Sequence, residues 1–147
     1  MGGRVKLWSH DFNEEEHIPR KFSRDGDDIN PHLAWNDVPE GTKSLALIVD
    51  DPDAPMGLWT HWLVEDIPPN LREIKQGSTP PGKQVENDFG QKDYGGPAPP
   101  GGTHRYFFKL YALDKEKLKA RNKKKFYKMV EKHKLDEAQL MGYFSRK

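Results

Sequence analysis

Two short segments of this chain carry most of the side chains that could do chemistry. Residues 50–55, with the sequence DDPDAP, bring three carboxylates together directly after an apolar run, and residues 59–62, with the sequence WTHW, follow them. Residues 95–106, with the sequence GGPAPPGGTHRY, deliver a histidine and a tyrosine from the end of a proline-rich loop. Prolines and glycines fix unusual backbone geometry, and rigid scaffolds place functional groups at strand ends. These segments therefore predict one built site.

The candidate ligand contacts are Asp51, Asp53, His61, His104 and Tyr106. A carboxylate beside a histidine orients the ring and favours its cationic form, because opposite charges attract at short range. A cationic His104 and the hydroxyl of Tyr106 could donate to the oxygens of a phosphate, helped by backbone N–H groups of the glycine-rich loop. An unpaired Asp51 would repel that anion, so we expect it to pair with a histidine, to carry a proton or to meet an ammonium group.

Several neighbouring residues are better explained by structure than by ligand binding. Asp53 lies in a proline-containing turn, where an aspartate more often caps the backbone than contacts a ligand. Arg105 alternates away from His104 and Tyr106 on a strand, which predicts a structural ion pair. Because His104 itself lies at a loop–strand junction, we expect it outside the core. The remaining histidines lie in no motif and are assigned to the surface or to packing: His10, His17, His32 and His133.

Two enzymatic alternatives use the same residues. Two histidines and an aspartate can form a facial triad for iron or hold a hydrolytic zinc ion. Asp-His chemistry could also serve a hydrolase without a metal, although Thr60 and Thr103 lack the strained elbow of a nucleophile. We expect no enzyme, no cofactor and no bound transition metal, because the candidate ligands lie on separate elements and no recognised metal-binding run is present.

Length and composition narrow the function classes further. The 147 residues are enough for a single domain, residues 1–147, with its own core. With 24 basic and 23 acidic residues the net charge is +1, so no global field attracts nucleic acid. The absence of cysteine excludes disulfides and thiol chemistry and fits a reducing compartment. No apolar run could cross a bilayer, so we expect a soluble, cytoplasmic protein.

Short apolar runs between proline and glycine turns predict a mainly β, antiparallel sandwich. The predicted strands are residues 7–9, 33–35, 44–49, 61–67 and 105–113. The stretch between residues 67 and 106 is long for a loop without a packing or functional role in a compact domain, so we expect it to cover a sheet edge or to surround the site.

A lysine-rich segment, residues 115–134, predicts a helix near the C-terminus. Periodicity places the helix at residues 123–133, with Asp114 as its cap, and would allow it to continue through Leu140. Its lysines are more typical of a solvated helix face than of a phospholipid or nucleic-acid patch. The apolar stripe that would face the core is Leu118, Phe126, Met129 and Val130.

The two loops and several further segments resemble the phosphatidylethanolamine-binding protein (PEBP) family. Besides the DPDAP turn and the GPAPPGGTHRY loop, the resemblance includes residues 29–45 (INPHLAWNDVPEGTKSL), 87–90 (NDFG) and 142–146 (GYFSR), so that it covers nearly the whole chain. It is closest to the short bacterial and archaeal branch, the Raf kinase inhibitor-like proteins. It implies a PEBP-like antiparallel β-sandwich with one α-helix in the C-terminal region and a final strand at residues 138–145.

The resemblance also implies a ligand site. Asp51, His61, His104 and Tyr106 would line a small pocket for a phosphate or for the headgroup of phosphoethanolamine. The loop from Gly96 to Pro100 would form one wall and apolar side chains the rim; these residues are Gly96, Pro97, Pro99 and Pro100 with Ala54, Pro55 and Trp59.

Partners follow from the resemblance as well. The family implies a regulated partner protein, such as a kinase or a protease, and allows a homodimer. Because kinase inhibition belongs to particular eukaryotic members, we do not transfer it to this chain. The chain ends shortly after residues 142–144, so we expect no C-terminal helix beside the pocket, an open mouth and no tight retention of an acyl chain.

Overall fold

The structure is a computed structural model that describes residues 4–146, and it consists mainly of β-strands in two sheets. One sheet has six strands in the order β2-β9-β8-β4-β5-β7, and the other has three in the order β1-β3-β6. The strands are β1 (Lys6–Trp8), β2 (Glu16–His17), β3 (Leu33–Asn36), β4 (Ser44–Asp51), β5 (Trp59–Ile67), β6 (Glu73–Ile74), β7 (Lys83–Val85), β8 (Thr103–Leu113) and β9 (Lys134–Ser145). The helix α1 spans Lys123–His133, and a short 3₁₀ helix spans Arg20–Phe22. The mainly β fold with one helix in the C-terminal region confirms the predicted class.

Strand β4 is buried on both faces and lies between β5 and β8. Side chains alternate across a strand, so its residues divide between two hydrophobic cores. Leu45, Leu47 and Val49 belong to the core that includes residues of the three-stranded sheet. Ala46 and Ile48 belong to the core beneath α1. This central strand therefore holds both layers together and ends at the carboxylates of the predicted site.

Helix α1 has the predicted bounds, but its cap is different. The side chain of Asn122 accepts a hydrogen bond from the backbone N–H of Lys125 and so caps the first turn. Asp114 is far from this end of the helix and instead bonds to Nδ1 of His133 at 2.9 Å. The prediction of Asp114 as the cap was wrong because residues 115–122 are not helical.

The chain changes from helix to strand between His133 and Lys134, so the helix does not continue through Leu140. Strand β9 includes the final strand that the family resemblance predicts, residues 138–145, but it begins four residues earlier, at Lys134. It pairs along its length with β8, in a ladder that includes Phe108 opposite Leu140. Pairing with β8 stabilises the strand more than local periodicity stabilises a helix, because the strand gains inter-strand hydrogen bonds and buries side chains at the same time.

The predicted strands are all present, and β4, β5 and β8 extend further towards the predicted site. The short strands β2, β6 and β7 were not predicted, because two or three residues carry too little periodicity. Two of them lie in the stretch between residues 67 and 106, which also reaches the candidate site. No helix within residues 4–146 combines the length and the apolarity that crossing a membrane would need.

The cap assignment can be tested by mutation. Asn122→Ala should lower the free energy of unfolding by about 1 kcal/mol, because a backbone N–H at the helix start loses its acceptor. Asp114→Ala should cost less, since an exposed ion pair contributes about 0–1 kcal/mol. Urea unfolding of both variants measures the difference. A larger loss for Asp114→Ala would contradict the assignment of Asn122 as the cap.

Candidate functional site

The register of three strands brings the predicted site residues together. Strand β4 pairs with β8 so that Asp50 lies opposite Phe107. The next residue, Asp51, therefore shares a face with Tyr106 and with His104, two positions further along β8. On its other side, β4 pairs with β5 so that Asp51 lies opposite Trp59. Side chains from segments far apart in sequence thus meet at one end of the central strands.

A β-bulge directs His61 towards the same place. The β4–β5 register shifts where Val49 pairs with Trp62 and Asp50 pairs with Thr60, so His61 is the extra residue between them. A bulge of this kind turns a side chain away from strict alternation. Thr60 contacts the helix side, with its hydroxyl 2.9 Å from that of Tyr127, whereas His61 lines the cavity.

The central interaction of the site is a buried pair of side chains. The Nδ1–H of His104 donates to Oδ2 of Asp51 over 2.6 Å. Oδ1 of Asp51 accepts the backbone N–H of Asp53 at 2.7 Å, so both carboxylate oxygens are used. Asp51 is 3% exposed and His104 is 6% exposed. Because Nδ1 is engaged, the ring nitrogen of His104 that is left for a ligand is Nε2.

The burial of His104 corrects an expectation. The loop–strand junction suggested a side chain outside the core, but the ring is buried against Asp51 and stacks on Tyr106 with centroids 6.4 Å apart. Removing the ring would leave the buried Asp51 carboxylate without one of its two hydrogen-bond partners, and an unsatisfied buried polar group costs about 1–3 kcal/mol. A truncation of His104 alone therefore tests stability as much as binding.

His61 is a neutral ring in the wall of the cavity. Its Nδ1–H donates to the backbone carbonyl of Gly95 at 2.7 Å. Burial lowers the pKa of His61 below its ordinary value, and this outweighs the opposing effects of the Gly95 carbonyl and of the charge on Asp51. The ring meets those of Phe89 and Tyr106 edge to face, with centroids 5.2 Å away in both cases. His61 therefore presents Nε2 as an acceptor and not as a cation.

The hydroxyl of Tyr106 is buried, and no atom among residues 4–146 forms a well-aligned hydrogen bond with it. Its side chain is 1% exposed, and the oxygen has no hydrogen-bond partner among residues 4–146. Burial, reinforced by the charge on Asp51, raises the pKa of Tyr106 well above its usual range. The hydroxyl thus stays protonated and is an available donor. Buried polar groups are normally bonded, so this atom needs an explanation.

These side chains line a cavity of about 220 Å³. Its polar residues are Asp51, His61, His104 and Tyr106, and the rest of the lining is apolar: Ala54, Pro55, Met56, Trp59, Phe89, Ala98, Pro99 and Pro100. All four predicted polar contacts from the family resemblance are thus brought together. Three predicted residues do not line the cavity: Asp53, Gly96 and Pro97. Three lining residues were not predicted: Met56, Phe89 and Ala98.

Asp53 supports the site from outside. Its carboxylate accepts the backbone N–H of Arg105 and two guanidinium hydrogen bonds, at 2.8–2.9 Å. The Arg105 guanidinium lowers the pKa of Asp53 to about 2. This pair ties the turn after β4 to β8 beside His104, which is the structural role expected for Arg105. Asp53 therefore holds the turn after β4 against the start of β8 and does not line the cavity.

Gly96 and Pro97 hold the wall loop in place. The N–H of Gly96 donates to Oδ1 of Asp28 at 2.7 Å, and the carbonyl of Pro97 accepts the N–H of Arg24 at 3.0 Å. A Cβ at Gly96 would collide with the backbone of Phe22, so only glycine allows this approach. Both residues therefore fix the loop that presents the cavity-lining Ala98 and the prolines after it.

The missed residues differ in how far the sequence could have revealed them. Ala98 lies inside the loop already predicted as a wall, and Met56 directly follows the predicted rim. Phe89 belongs to the NDFG segment, but its place beside Trp59, with ring centroids 5.6 Å apart, depends on how the loop folds back. Asn87 directs that fold: its side-chain amide donates to the His61 carbonyl at 2.8 Å.

The structure also bears on metal binding. Within the described part of the chain, no group of three or more histidine, cysteine, aspartate or glutamate side chains is placed to hold a metal ion. Asp51 already accepts two hydrogen bonds, and Nδ1 of both cavity histidines is engaged. The hydrogen bond at Nδ1 fixes the orientation of each ring and leaves Nε2 of both histidines for a ligand.

Fold and site together define the class of protein. The sequence model of the phosphatidylethanolamine-binding protein family matches residues 8–145, and the chain belongs to this family. A UPF0098 protein of Aquifex aeolicus is 51% identical over 124 residues, covering 80% of this chain and 72% of that protein. A UPF0098 protein of Methanothermobacter thermautotrophicus is 43% identical over 150 residues, covering 97% and 99%.

Two solved structures share the fold. Escherichia coli YbcL, described as a new member of the mammalian PEBP family, superposes with a TM-score of 0.92 at 30% identity, covering 99% of this chain and 100% of that one. A Chlamydia trachomatis protein, described as a PEBP homologue, gives a TM-score of 0.91 at 36% identity, covering 98% and 99%. The predicted PEBP-like sandwich is thereby confirmed.

The neutral state of His61 predicts a pH dependence of stability. The pKa of His61 in the folded chain lies below its ordinary value of 6.5. As the pH falls below 6.5, His61 therefore binds a proton in the unfolded chain before it does so in the folded chain. The contribution of His61 to the free energy of unfolding should be fully present above pH 6.5 and should fall as the pH drops below it, by at most about 1.4 kcal/mol per pH unit. His61→Asn keeps a donor for Gly95 but does not titrate, so urea unfolding should show a shallower fall.

The control for this measurement is His17→Asn, since His17 is exposed on β2. Its unfolding free energy should follow that of the parent at every pH. If His61→Asn also followed the parent below neutral pH, the buried ring would be excluded as the source of the acid sensitivity.

Proposed function

We propose that the chain binds a small oxyanion in this cavity, either inorganic phosphate or the phosphate of a phosphoethanolamine headgroup. The observation that carries the proposal is the hydroxyl of Tyr106, a buried donor without a partner among the described residues. Leaving such a group unsatisfied costs about 1–3 kcal/mol. A ligand oxygen that accepts from this hydroxyl would remove the penalty, and the Tyr106 side chain is part of the cavity lining.

The charges of the site favour an anion despite the aspartate. Asp51 is paired with His104, and in this proposal the His104 ring is protonated when the anion is bound, so that it balances the carboxylate and offers Nε2–H to the ligand. Both oxygens of Asp51 already accept hydrogen bonds. We therefore place the phosphate group beside this pair and the Tyr106 hydroxyl, and any ammonium group further out, near the aromatic rim.

The size of the cavity favours a headgroup over a whole lipid. Its volume of about 220 Å³ is smaller than the roughly 300–1,000 Å³ of sites for drug-sized ligands. A bare phosphate gains little from the apolar lining, so we expect binding in the micromolar to millimolar range, about −4 to −8 kcal/mol. An intact lipid should bind through its headgroup no more tightly than the headgroup alone.

The enzymatic alternatives draw less support from the geometry. The described residues lining the cavity include no serine, threonine or cysteine that could act as a nucleophile. One equivalent of zinc or iron that survived dialysis and supported hydrolysis would favour a metal enzyme and contradict this proposal. Regulation of a kinase or protease, a homodimer and a cytoplasmic location stay predictions from the sequence.

The Tyr106 hydroxyl provides the sharpest test. Tyr106→Phe should weaken phosphate binding roughly ten- to one-hundred-fold, because a hydrogen bond to a charged group contributes about 1.5–3 kcal/mol. The same variant should be as stable as the parent without ligand, or more stable by about 1 kcal/mol, since an unsatisfied buried group is removed. Calorimetric titration with inorganic phosphate and urea unfolding measure the two effects.

Tyr94→Phe is the matched control. Tyr94 is also buried, but its hydroxyl donates to the carbonyl of Phe22 at 2.7 Å and lies outside the cavity lining. This variant should lose about 1 kcal/mol of stability and keep its affinity for phosphate. If Tyr106→Phe instead bound phosphate like the parent, or lost stability as Tyr94→Phe does, the ligand role of the hydroxyl would be refuted.

A further inference from the structure

A basic groove lies next to the mouth of the cavity. It has a volume of about 680 Å³ and is lined by Leu58 on the β4–β5 turn and by residues of the first turns of α1 and its cap: Asn122, Lys123, Lys124, Lys125, Tyr127 and Lys128. We call this surface the lysine groove. It brings the lysine cluster, which the sequence analysis treated as a solvated helix face, against an apolar side chain from another element.

The turn between β4 and β5 joins the groove to the cavity. Met56 lines the cavity and yet is 94% exposed, and Leu58 lines the lysine groove and is 43% exposed. Gly57 between them has a φ of 105°, which glycine adopts without strain. Two large apolar side chains thus project at the tip of a tight turn. Such exposure of neighbouring apolar groups commonly marks an interaction site.

The lysines of the groove are mostly free for an external partner. Among residues 4–146, Lys123 pairs with Asp88 at 2.6 Å, and no salt bridge engages Lys124, Lys125 or Lys128. These three side chains are exposed on the N-terminal half of α1. The net charge of the whole chain is only +1, so this positive charge is local.

We propose that this face docks on an anionic phospholipid bilayer. Met56 and Leu58 would enter the interfacial layer while the lysines contact lipid phosphates, a combination typical of proteins that lie on membrane surfaces. The cavity mouth would then face the headgroups, and this part of the proposal rests on the proposed function. The exposed turn tip favours a bilayer over an acidic peptide, because Met56, although it borders the cavity, is 94% exposed and offers an apolar side chain to the outside.

Vesicle co-sedimentation tests the docking. The parent protein should pellet with vesicles of phosphatidylcholine and phosphatidylglycerol, more weakly as salt is raised, and should not pellet with phosphatidylcholine alone. Lys124→Glu/Lys128→Glu should weaken this binding at least about tenfold, since each lysine near an anionic surface contributes appreciably. Leu58→Ser should weaken it severalfold at constant charge. Neither change touches a residue that lines the cavity.

Lys43→Glu/Lys117→Glu is the matched control, because it changes the net charge equally. Lys43 precedes the first residue of β4, and the segment of Lys117 contacts that same end through the Ser44–Lys115 hydrogen bond. This end is opposite to Asp51 and the cavity. The control should bind vesicles almost as the parent does. Equal losses in both double variants would mean unspecific charge attraction and would overturn the proposal.

Inorganic phosphate titration separates this proposal from the proposed function. Lys124→Glu/Lys128→Glu should bind phosphate like the parent. If the parent bound phosphate but no anionic vesicle, the docking surface would be refuted while the anion site stood. If the parent bound polyglutamate through these lysines and no vesicle, the face would belong to an acidic protein partner, which also overturns the proposal.

Discussion

The site depends on a carboxylate that is buried at the end of the central strand. Asp51 closes β4, where water cannot solvate it, so its charge needs partners from the protein. His104 of β8 and the backbone N–H of Asp53 supply them, and Arg105 in turn holds the Asp53 carboxylate. The turn after β4 and the start of β8 are thereby locked together. The β4–β8 register that this contact accompanies brings Asp51, His104 and Tyr106 to one face, where they line the cavity.

Two consecutive aspartates show how strand alternation separates structural and ligand-facing roles. Asp50 points to the opposite face of the sheet, where it accepts hydrogen bonds from Lys109 at 3.0 Å and from the hydroxyl of Tyr127 at 2.8 Å. Tyr127 lies on α1 and also meets Thr60. The helix is thus hydrogen-bonded to two of the three strands that carry the site, β4 and β5, on the face opposite the cavity, which gives the cavity a rigid base.

The sequence predicted the long elements and the chemically active side chains, because both have local signals. The run 105–113 has strand periodicity, and His104 stands directly before it. The sequence pattern did not predict that β9 begins at Lys134. The charged residues there also suit a helix, and it is the pairing with β8 that makes them a strand. The pattern missed the burial of His104 and the position of Phe89 for the same reason: both depend on contacts distant in sequence. Asp53 was rightly weighed as structural, although as an ion-pair clamp and not only as a turn cap.

Three buried polar atoms of the described residues lack a hydrogen-bond partner, and one of them differs from the other two in its surroundings. Among residues 4–146 these atoms are Oδ1 of Asp50, Oε2 of Glu65 and the hydroxyl of Tyr106. Each of the two carboxylates has a second oxygen that is hydrogen-bonded, to Lys109 and Tyr127 or to the N–H of Ala120. Tyr106 has no second polar atom, and of the three residues it alone lines the cavity. In the function proposed above, the Tyr106 hydroxyl is the buried donor that the oxyanion would satisfy.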